Sequence, residues 1–354
     1  MTTDEKINRV KEILKNKKIA LAFSGGADST LLAYLAKESD CDLLAITYDN
    51  QIFPSGFLEF SKRRASELGI KHEIIENNFL DTYDVVQNTP QRCLVCRKLM
   101  YGAIKQLANE KGYEIIIDGN NITDLIHDRP GILMKYANNI ESPFIDAKLE
   151  THEIHKFLDD NNIEYSKSTT CLATRVKTNE IVTEGKVNRI DYCEEFIRNV
   201  TDADVIKLRE DNNTATIELD NIWHVLYENK LKTIFDELKK AQYDKVFLNI
   251  DFKDDEEELI LDSEIQIGKE SLVLRKQLPF GIDILKTSHA MSVNENESIS
   301  NVQTIEDIGY IKLNIDQKES KIFRDGKISI ENNKNKDDAK ESLVKILPLI
   351  RRTV

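Results

Sequence analysis

The chain has 354 residues, 40% of them hydrophobic and 31% charged, with a formal net charge of −13. That length predicts two or three domains rather than one core, and no stretch approaches the ~20 apolar residues of a membrane span. The acidity opposes unspecific attraction to nucleic acid, while five cysteines after a charged N-terminus without a signal-peptide pattern predict a cytoplasmic protein whose thiols serve metal, cluster or catalysis instead of disulfides.

From Lys17 to about Ser168 short apolar runs alternate with amphipathic ones, the signature of βαβ units and a parallel sheet. Strands are expected at 19–23, 43–48, 71–75 and 115–118, with helices at 29–37, 56–68, about 93–111 and 151–161. After Thr183 come a helix to about 199, alternating runs at 205–209 and 214–219, a helix over 221–241 and an apolar run at 245–252, an α+β arrangement. The acidic stretch 253–258 predicts a linker or a solvated edge, because like charges repel. The rest of the chain, through Val354, predicts a small α+β domain with strands near 308–315 and 321–330 and a closing helix over 337–351. The expected domains are therefore 1–182, 183–253 and 254–354.

The first chemical signal is Ile19-Ala-Leu-Ala-Phe-Ser-Gly-Gly-Ala-Asp-Ser-Thr30, a buried strand running through two glycines straight into a helix. Glycines let the backbone approach a phosphate, and the amides of the helix N-terminus point at it. Phe23, Ser24, Gly25, Gly26, Ala27, Asp28, Ser29 and Thr30 are thus the expected phosphate loop, with a plain capped turn as the lesser reading. The Walker pattern is absent. A second strand delivers Asp118 and Gly119 to its C-terminal end, where ligands gather in open α/β sheets. Asp118 and Asp124 are carboxylates suited to Mg²⁺, and Arg129 and Arg175 are suited to clamping phosphate or carboxylate oxygens. Arg92-Cys93-Leu-Val-Cys96-Arg97 opens a helix, setting two sulfurs near one another, and Cys171 arrives from far along the chain. Cys41 and Cys193 suit packing.

Ser-Gly-Gly-x-Asp-Ser resembles the PP-loop of ATP pyrophosphatases, which cut ATP between its α and β phosphates and form adenylates. From about Ile19 to Phe252, Asp118-Gly-Asn, Asp124, Arg129-Pro-Gly, Ser142-Pro, Cys171-Leu-Ala-Thr-Arg175, Ile206-Lys-Leu-Arg209 and Ala215-Thr-Ile-Glu218 resemble, in order, the LarE family of sulfur insertases. These make the pyridinium thiocarboxylate nucleotide of the nickel-pincer cofactor. Val176-Lys-Thr-Asn179 departs from the family's Ile-Pro-Tyr-Gly. The resemblance implies a PP-loop α/β fold with smaller α+β domains, and ATP with Mg²⁺ held by 23–30, Asp118, Gly119 and Arg129. It also implies catalytic roles for Asp124, Arg175 and Cys171, and a substrate phosphate on Lys207 and Arg209. The three-cysteine kind of the family implies a 4Fe-4S cluster on Cys93, Cys96 and Cys171 whose fourth iron is open to external sulfide. Zinc, with His72, His127 or His152 as fourth ligand, stays a rival. A homo-oligomer acting on a small pyridinium nucleotide, with no nucleic-acid or membrane partner and the sulfur donor unnamed, completes the expectation. The alternatives are a PP-loop iron–sulfur tRNA thiolase and a non-enzymatic nucleotide or zinc sensor. Since every motif lies before it, the tail from about 257 is expected to be dispensable for adenylate formation.

Overall fold

The computed structural model describes residues 1–127, 140–167, 170–201, 203–226, 230–250, 262–265, 271–294 and 298–353. The elements run α1 (Thr3–Leu14), β1 (Lys18–Ala22), α2 (Ala27–Glu38), β2 (Asp42–Asp49), α3 (Phe57–Leu68), β3 (Lys71–Glu76), α4 (Tyr83–Val86), α5 (Arg92–Glu110) and β4 (Ile115–Ile117). After them come α6 (Pro143–Asp146), α7 (Thr151–Asp160), α8 (Glu184–Thr201), β5 (Ile206–Asp211), β6 (Thr214–Leu219), α9 (Trp223–Leu226), α10 (Lys230–Lys240) and β7 (Lys245–Leu248).

The first sheet is parallel, in the order β3-β2-β1-β4. β1, β2 and β4 are apolar on both faces because both are covered, while the edge strand β3 is polar and only half-buried. One cluster joins Leu21 and Leu43 to Leu31, Leu35 and Ile154, so α1, α2 and α7 close one face. The other face carries α5 through Tyr101, Ile104 and Ala108, and the same cluster continues through Leu172 and Ile190 into Leu208, Ile217 and Leu238. The three-stranded sheet β5-β6-β7 with α8 and α10 is therefore welded to the first sheet by a shared core that crosses residues 182 and 183.

The C-terminal region forms a six-stranded sheet, β10-β11-β12-β13-β9-β8, from β8 (Asp262–Ile265), β9 (Leu272–Gln277), β10 (Ile299–Ile305), β11 (Tyr310–Ile315), β12 (Lys318–Phe323) and β13 (Lys327–Asn333), with α11 (Ile284–Val293) and α12 (Lys336–Ile346). The run expected as one strand over 321–330 is a hairpin, Ile322 pairing with Ile328. Gly326 makes the turn at φ +93°, where a side chain would also run into the Phe280 carbonyl. The closing helix ends at Ile346, and Pro348 lies in the single 3-10 turn after it. This unit does not stand apart: Ile122, Leu125, Ile126 and Ile145 of the first region are buried in its core. Lys340 also pairs with the buried Glu150 at 2.7 Å, and Arg352 donates to the His127 carbonyl at 3.1 Å. Among the described residues no helix is long and apolar enough to cross a membrane.

Candidate functional site

The chain builds β1, β2 and β3 outward in one direction and then returns to place β4 on the other side of β1. The crevice at such a reversal lies beyond the C-terminal ends of the strands, and here it receives both motif-bearing loops. Gly25 turns at φ +73° and Gly26 begins α2. The Ser29 hydroxyl accepts from the Ser24 amide at 3.2 Å and donates to the Gly26 carbonyl at 3.2 Å, while Ser166 N donates to the Gly25 carbonyl at 2.9 Å. Gly119 meets the start of α2 so closely that a Cβ there would lie 2.7 Å from the Asp28 Cβ and 3.2 Å from the Ser29 amide.

A cavity of about 220 Å³ opens over these loops. Of the expected phosphate-binding residues, Phe23, Ser24, Gly26, Asp28, Ser29, Asp118 and Gly119 line it, as does Asp124. Gly25, Ala27 and Thr30 stand behind the surface, with Ala27 and Thr30 buried. Arg129 lies outside the described residues. Asp118 is saturated: Ser142 Oγ donates to Oδ1 at 2.6 Å with Asn120 N at 3.2 Å, and Tyr101 Oη donates to Oδ2 at 2.8 Å beside the Asn120 amide group. Four donors on one carboxylate fit a positioning role better than direct Mg²⁺ ligation. Asp28 Oδ1 accepts from Asn121 Nδ2 at 3.0 Å, and Asp124 Oδ2 from Asn121 N at 3.0 Å, so Asn121 ties the two loops together. Mg²⁺ is ordinarily held by one or two carboxylates plus substrate phosphates, and Asp28 and Asp124 on the cavity wall suit that.

The remaining wall escaped sequence reasoning. Ile46, Tyr48, Phe53, Phe57, Met100 and Ile104 form an apolar side able to take a flat base, with Phe53 and Phe57 stacked at 4.2 Å. Arg97 also lines the cavity, one helical turn beyond Cys93. Its Nη1 is fully buried with no hydrogen-bond partner. Burial opposes its charge, but Tyr101, Asp118, Asp124 and Cys93 around it raise the guanidinium's pKa above its ordinary value. The only signal available in sequence was a cation directly after Cys-x-x-Cys.

Arg92 brings the cysteine segments together, its Nη1 donating to the Ala173 carbonyl at 3.0 Å and its Nη2 lying 3.5 Å from Cys93 Sγ. The three thiols share one neighbourhood: burial pushes Cys96 up to about 12, reinforced by Cys171 and Cys93. Burial likewise raises Cys171, with Cys93 adding and the Arg92 cation opposing. Thiols grouped in this way, two of them with pKa values raised by burial, suit a soft cation or cluster iron, which stabilises thiolates. Even so, among the described residues no group of three or more His, Cys, Asp or Glu side chains is set to hold a metal ion. His72 turns to Thr47 at 2.8 Å, and His152 Nδ1 lies 3.6 Å from Glu150.

Arg175 does not reach the cavity. Its Nε pairs with Glu194 Oε1 at 2.7 Å, both side chains are sealed from water, and its Nη1 donates to Thr174 Oγ1 at 2.8 Å and to the Thr170 hydroxyl. The residue expected to clamp substrate therefore pins the Cys171 loop to α8. Lys207 and Arg209 project from the same face of β5, half-buried; Arg209 pairs with Glu218 and donates to the Thr174 carbonyl at 2.8 Å, beside the Cys171 loop.

Residues 1–138 match the PP-loop domain family. An uncharacterized protein of Methanocaldococcus jannaschii is 31% identical over 245 residues, covering 69% of this chain and 94% of that protein. The chain belongs to one family with this archaeal protein, and its first 138 residues are a PP-loop domain. The pyridinium-3,5-bisthiocarboxylic acid mononucleotide synthase of Lactiplantibacillus plantarum is 21% identical over 57% of this chain and 75% of its own length. A tRNA-specific 2-thiouridylase of Trichlorobacter lovleyi is 30% identical over 30% of the chain and 34% of its own length. A PP-loop domain implies ATP binding, typically with Mg²⁺, and these relatives make the fold one that serves ATP-dependent sulfur transfer.

Proposed function

We propose that this PP-loop protein adenylates a carboxylate of a small pyridinium nucleotide and replaces the AMP with sulfur, with Cys93, Cys96 and Cys171 as ligands of a 4Fe-4S cluster. The observation that carries the reading is the continuity of thiols and phosphate loop: α5 holds Cys93 and Cys96 at its start and lines the ATP cavity one turn later through Arg97. The substrate carboxylate attacks the α-phosphorus of ATP and pyrophosphate departs into the loop from Ser24 to Ser29 at the N-terminus of α2, whose fixed dipole favours the charge that develops there. Asp28 and Asp124 would hold Mg²⁺, which would neutralise charge on the phosphates. Arg97 receives the acyl phosphate oxygens, and Lys207 with Arg209 takes the substrate's own phosphate. Cys93, Cys96 and Cys171 would hold the cluster, which would supply an iron able to carry sulfide. Arg175, through Glu194, keeps Cys171 in place.

The test is anaerobic purification with iron, acid-labile sulfide and zinc analysis, followed by ATP-dependent pyrophosphate release and intact mass. A cluster-bearing protein of unchanged mass that turns over repeatedly on added sulfide is expected. Loss of hydrogen sulfide from the protein, with Cys93→Ala and Cys96→Ala still active, would restore Cys171 as a single-use donor. Asp28→Ala should suppress pyrophosphate release. Tight, salt-resistant tRNA binding would promote the thiolase reading, against which the charge of −13 speaks.

A further inference from the structure

We propose that Asn121 is a positioning residue for the ATP reaction: its side-chain amide and its own main-chain amide fix Asp28 and Asp124, the two carboxylates on the cavity wall. The inference rests on those two as the Mg²⁺ carboxylates of the proposed function. Asn121 is 1% exposed and does not line the cavity, so it acts on a ligand only through its neighbours.

A buried side-chain amide is costly unless its donors and its acceptor are used. Asn121 Oδ1 accepts from Thr123 N at 2.8 Å, from Thr151 Oγ1 at 3.3 Å and from Asp124 N at 3.4 Å, while Nδ2 donates to Asp28 Oδ1 at 3.0 Å. These partners admit one orientation of the amide. Turned over, its NH₂ group would meet two main-chain N–H groups and its oxygen would meet a carboxylate. Asp124 is held reciprocally, its Oδ2 accepting from Asn121 N at 3.0 Å while its own amide points back to Asn121 Oδ1, as in a capping box. Each carboxylate thus has one oxygen on the same residue, which sets the start of α2 against the 3-10 turn Thr123–Leu125. The close approach of Gly119 to the Asp28 Cβ brings the segment near enough for a short asparagine to reach. The donor is also neutral: a lysine or arginine there would neutralise Asp28, whereas an amide orients the carboxylate and leaves its charge for a cation.

The experiment is calorimetric titration of the full chain with ATP, in Mg²⁺ and in EDTA, on the parent, Asn121→Ser, Asp28→Ala and the double variant. Serine keeps a hydroxyl that accepts from the Thr123 amide but is too short to reach Asp28. Should serine unfold the chain, Asn121→Thr, which fills more of the volume, makes the same comparison. Asn121→Ser should weaken ATP binding about tenfold in Mg²⁺, the scale of one hydrogen bond to a charged group, and less than about twofold in EDTA. In the Asp28→Ala background it should cost no further affinity, because both substitutions remove the same interaction. No weakening, equal weakening in Mg²⁺ and EDTA as a merely structural asparagine gives, or full additivity with Asp28→Ala would overturn the role of Asn121 and leave the reading of the carboxylates standing. An Asp28→Ala protein that keeps the whole Mg²⁺-dependent gain in affinity would overturn both.

Discussion

A guanidinium nitrogen sealed from water without an acceptor destabilises the protein around it by about 1–3 kcal/mol, and more when charged. Arg97 holds that position on the wall of the ATP cavity, between Cys93 and the carboxylates Asp118 and Asp124. On the proposed function, the anion of the bound nucleotide is that missing partner. Arg97→Met should therefore fold with little change in thermal midpoint, yet lose ATP-dependent pyrophosphate release by about a hundredfold, the scale of one removed charge-stabilising donor. A large fall in midpoint with proportionate loss of activity would instead make Arg97 a structural residue. Gly119 works by absence: Gly119→Ala puts a methyl against backbone and Cβ atoms of the α2 start, which cannot rotate away. The cost should be about 1–3 kcal/mol, expressed in ATP binding measured by calorimetry more than in melting.

Among the elements, the Cys171 loop is short and irregular, and its position comes from neighbours. Arg92 from α5, Arg175 anchored on Glu194 of α8, and Arg209 of β5 all bond its backbone or its threonines. Glu194→Gln leaves the Arg175 charge buried with weakened compensation, which costs about 3–5 kcal/mol when a partner is removed outright and somewhat less here. Denaturant unfolding should register it, and Cys171 should react faster with a thiol reagent than in the parent. In the C-terminal unit, Asp338 caps the approach to α12 and pairs with Lys318 at 2.7 Å. Burial opposes its ionisation, but Lys318 and the Lys334 amide win and hold its carboxyl below the ordinary value. A depressed folded pKa contributes stability above the unfolded value of about 4, lost as pH falls through the folded pKa. Asp338→Asn should cost about 1–2 kcal/mol at neutral pH and flatten that part of the acid limb, checked by melting between roughly pH 6 and 3.

For the molecule as a whole, the sequence reads the C-terminal unit as dispensable for adenylate formation, whereas its core is shared with the PP-loop region. Ile122, Leu125 and Ile126 bracket Asp124 and are buried in the C-terminal core, with Ile145 beside Asp118's partner Ser142. Truncation after about residue 253 would uncover them all, so the shortened chain should aggregate or melt well below the parent and release little pyrophosphate; a stable, active truncation would refute the coupling. What the sequence determined by itself was local. Strand periodicity, Ser-Gly-Gly-x-Asp-Ser and Gly119 are readable because apolar alternation and glycine's backbone freedom act within a few residues. The parallel sheet and its loop site came from them. Only the tertiary structure decided which charges face the cavity and which face protein: Arg175 is spent on Glu194, 19 positions away, and Arg97 lines the cavity without a partner at Nη1. The shared core across residues 182 and 183, and the seating of the tail against Asp124, depend likewise on contacts between distant segments, whose apolar side chains look the same in sequence whichever core they fill.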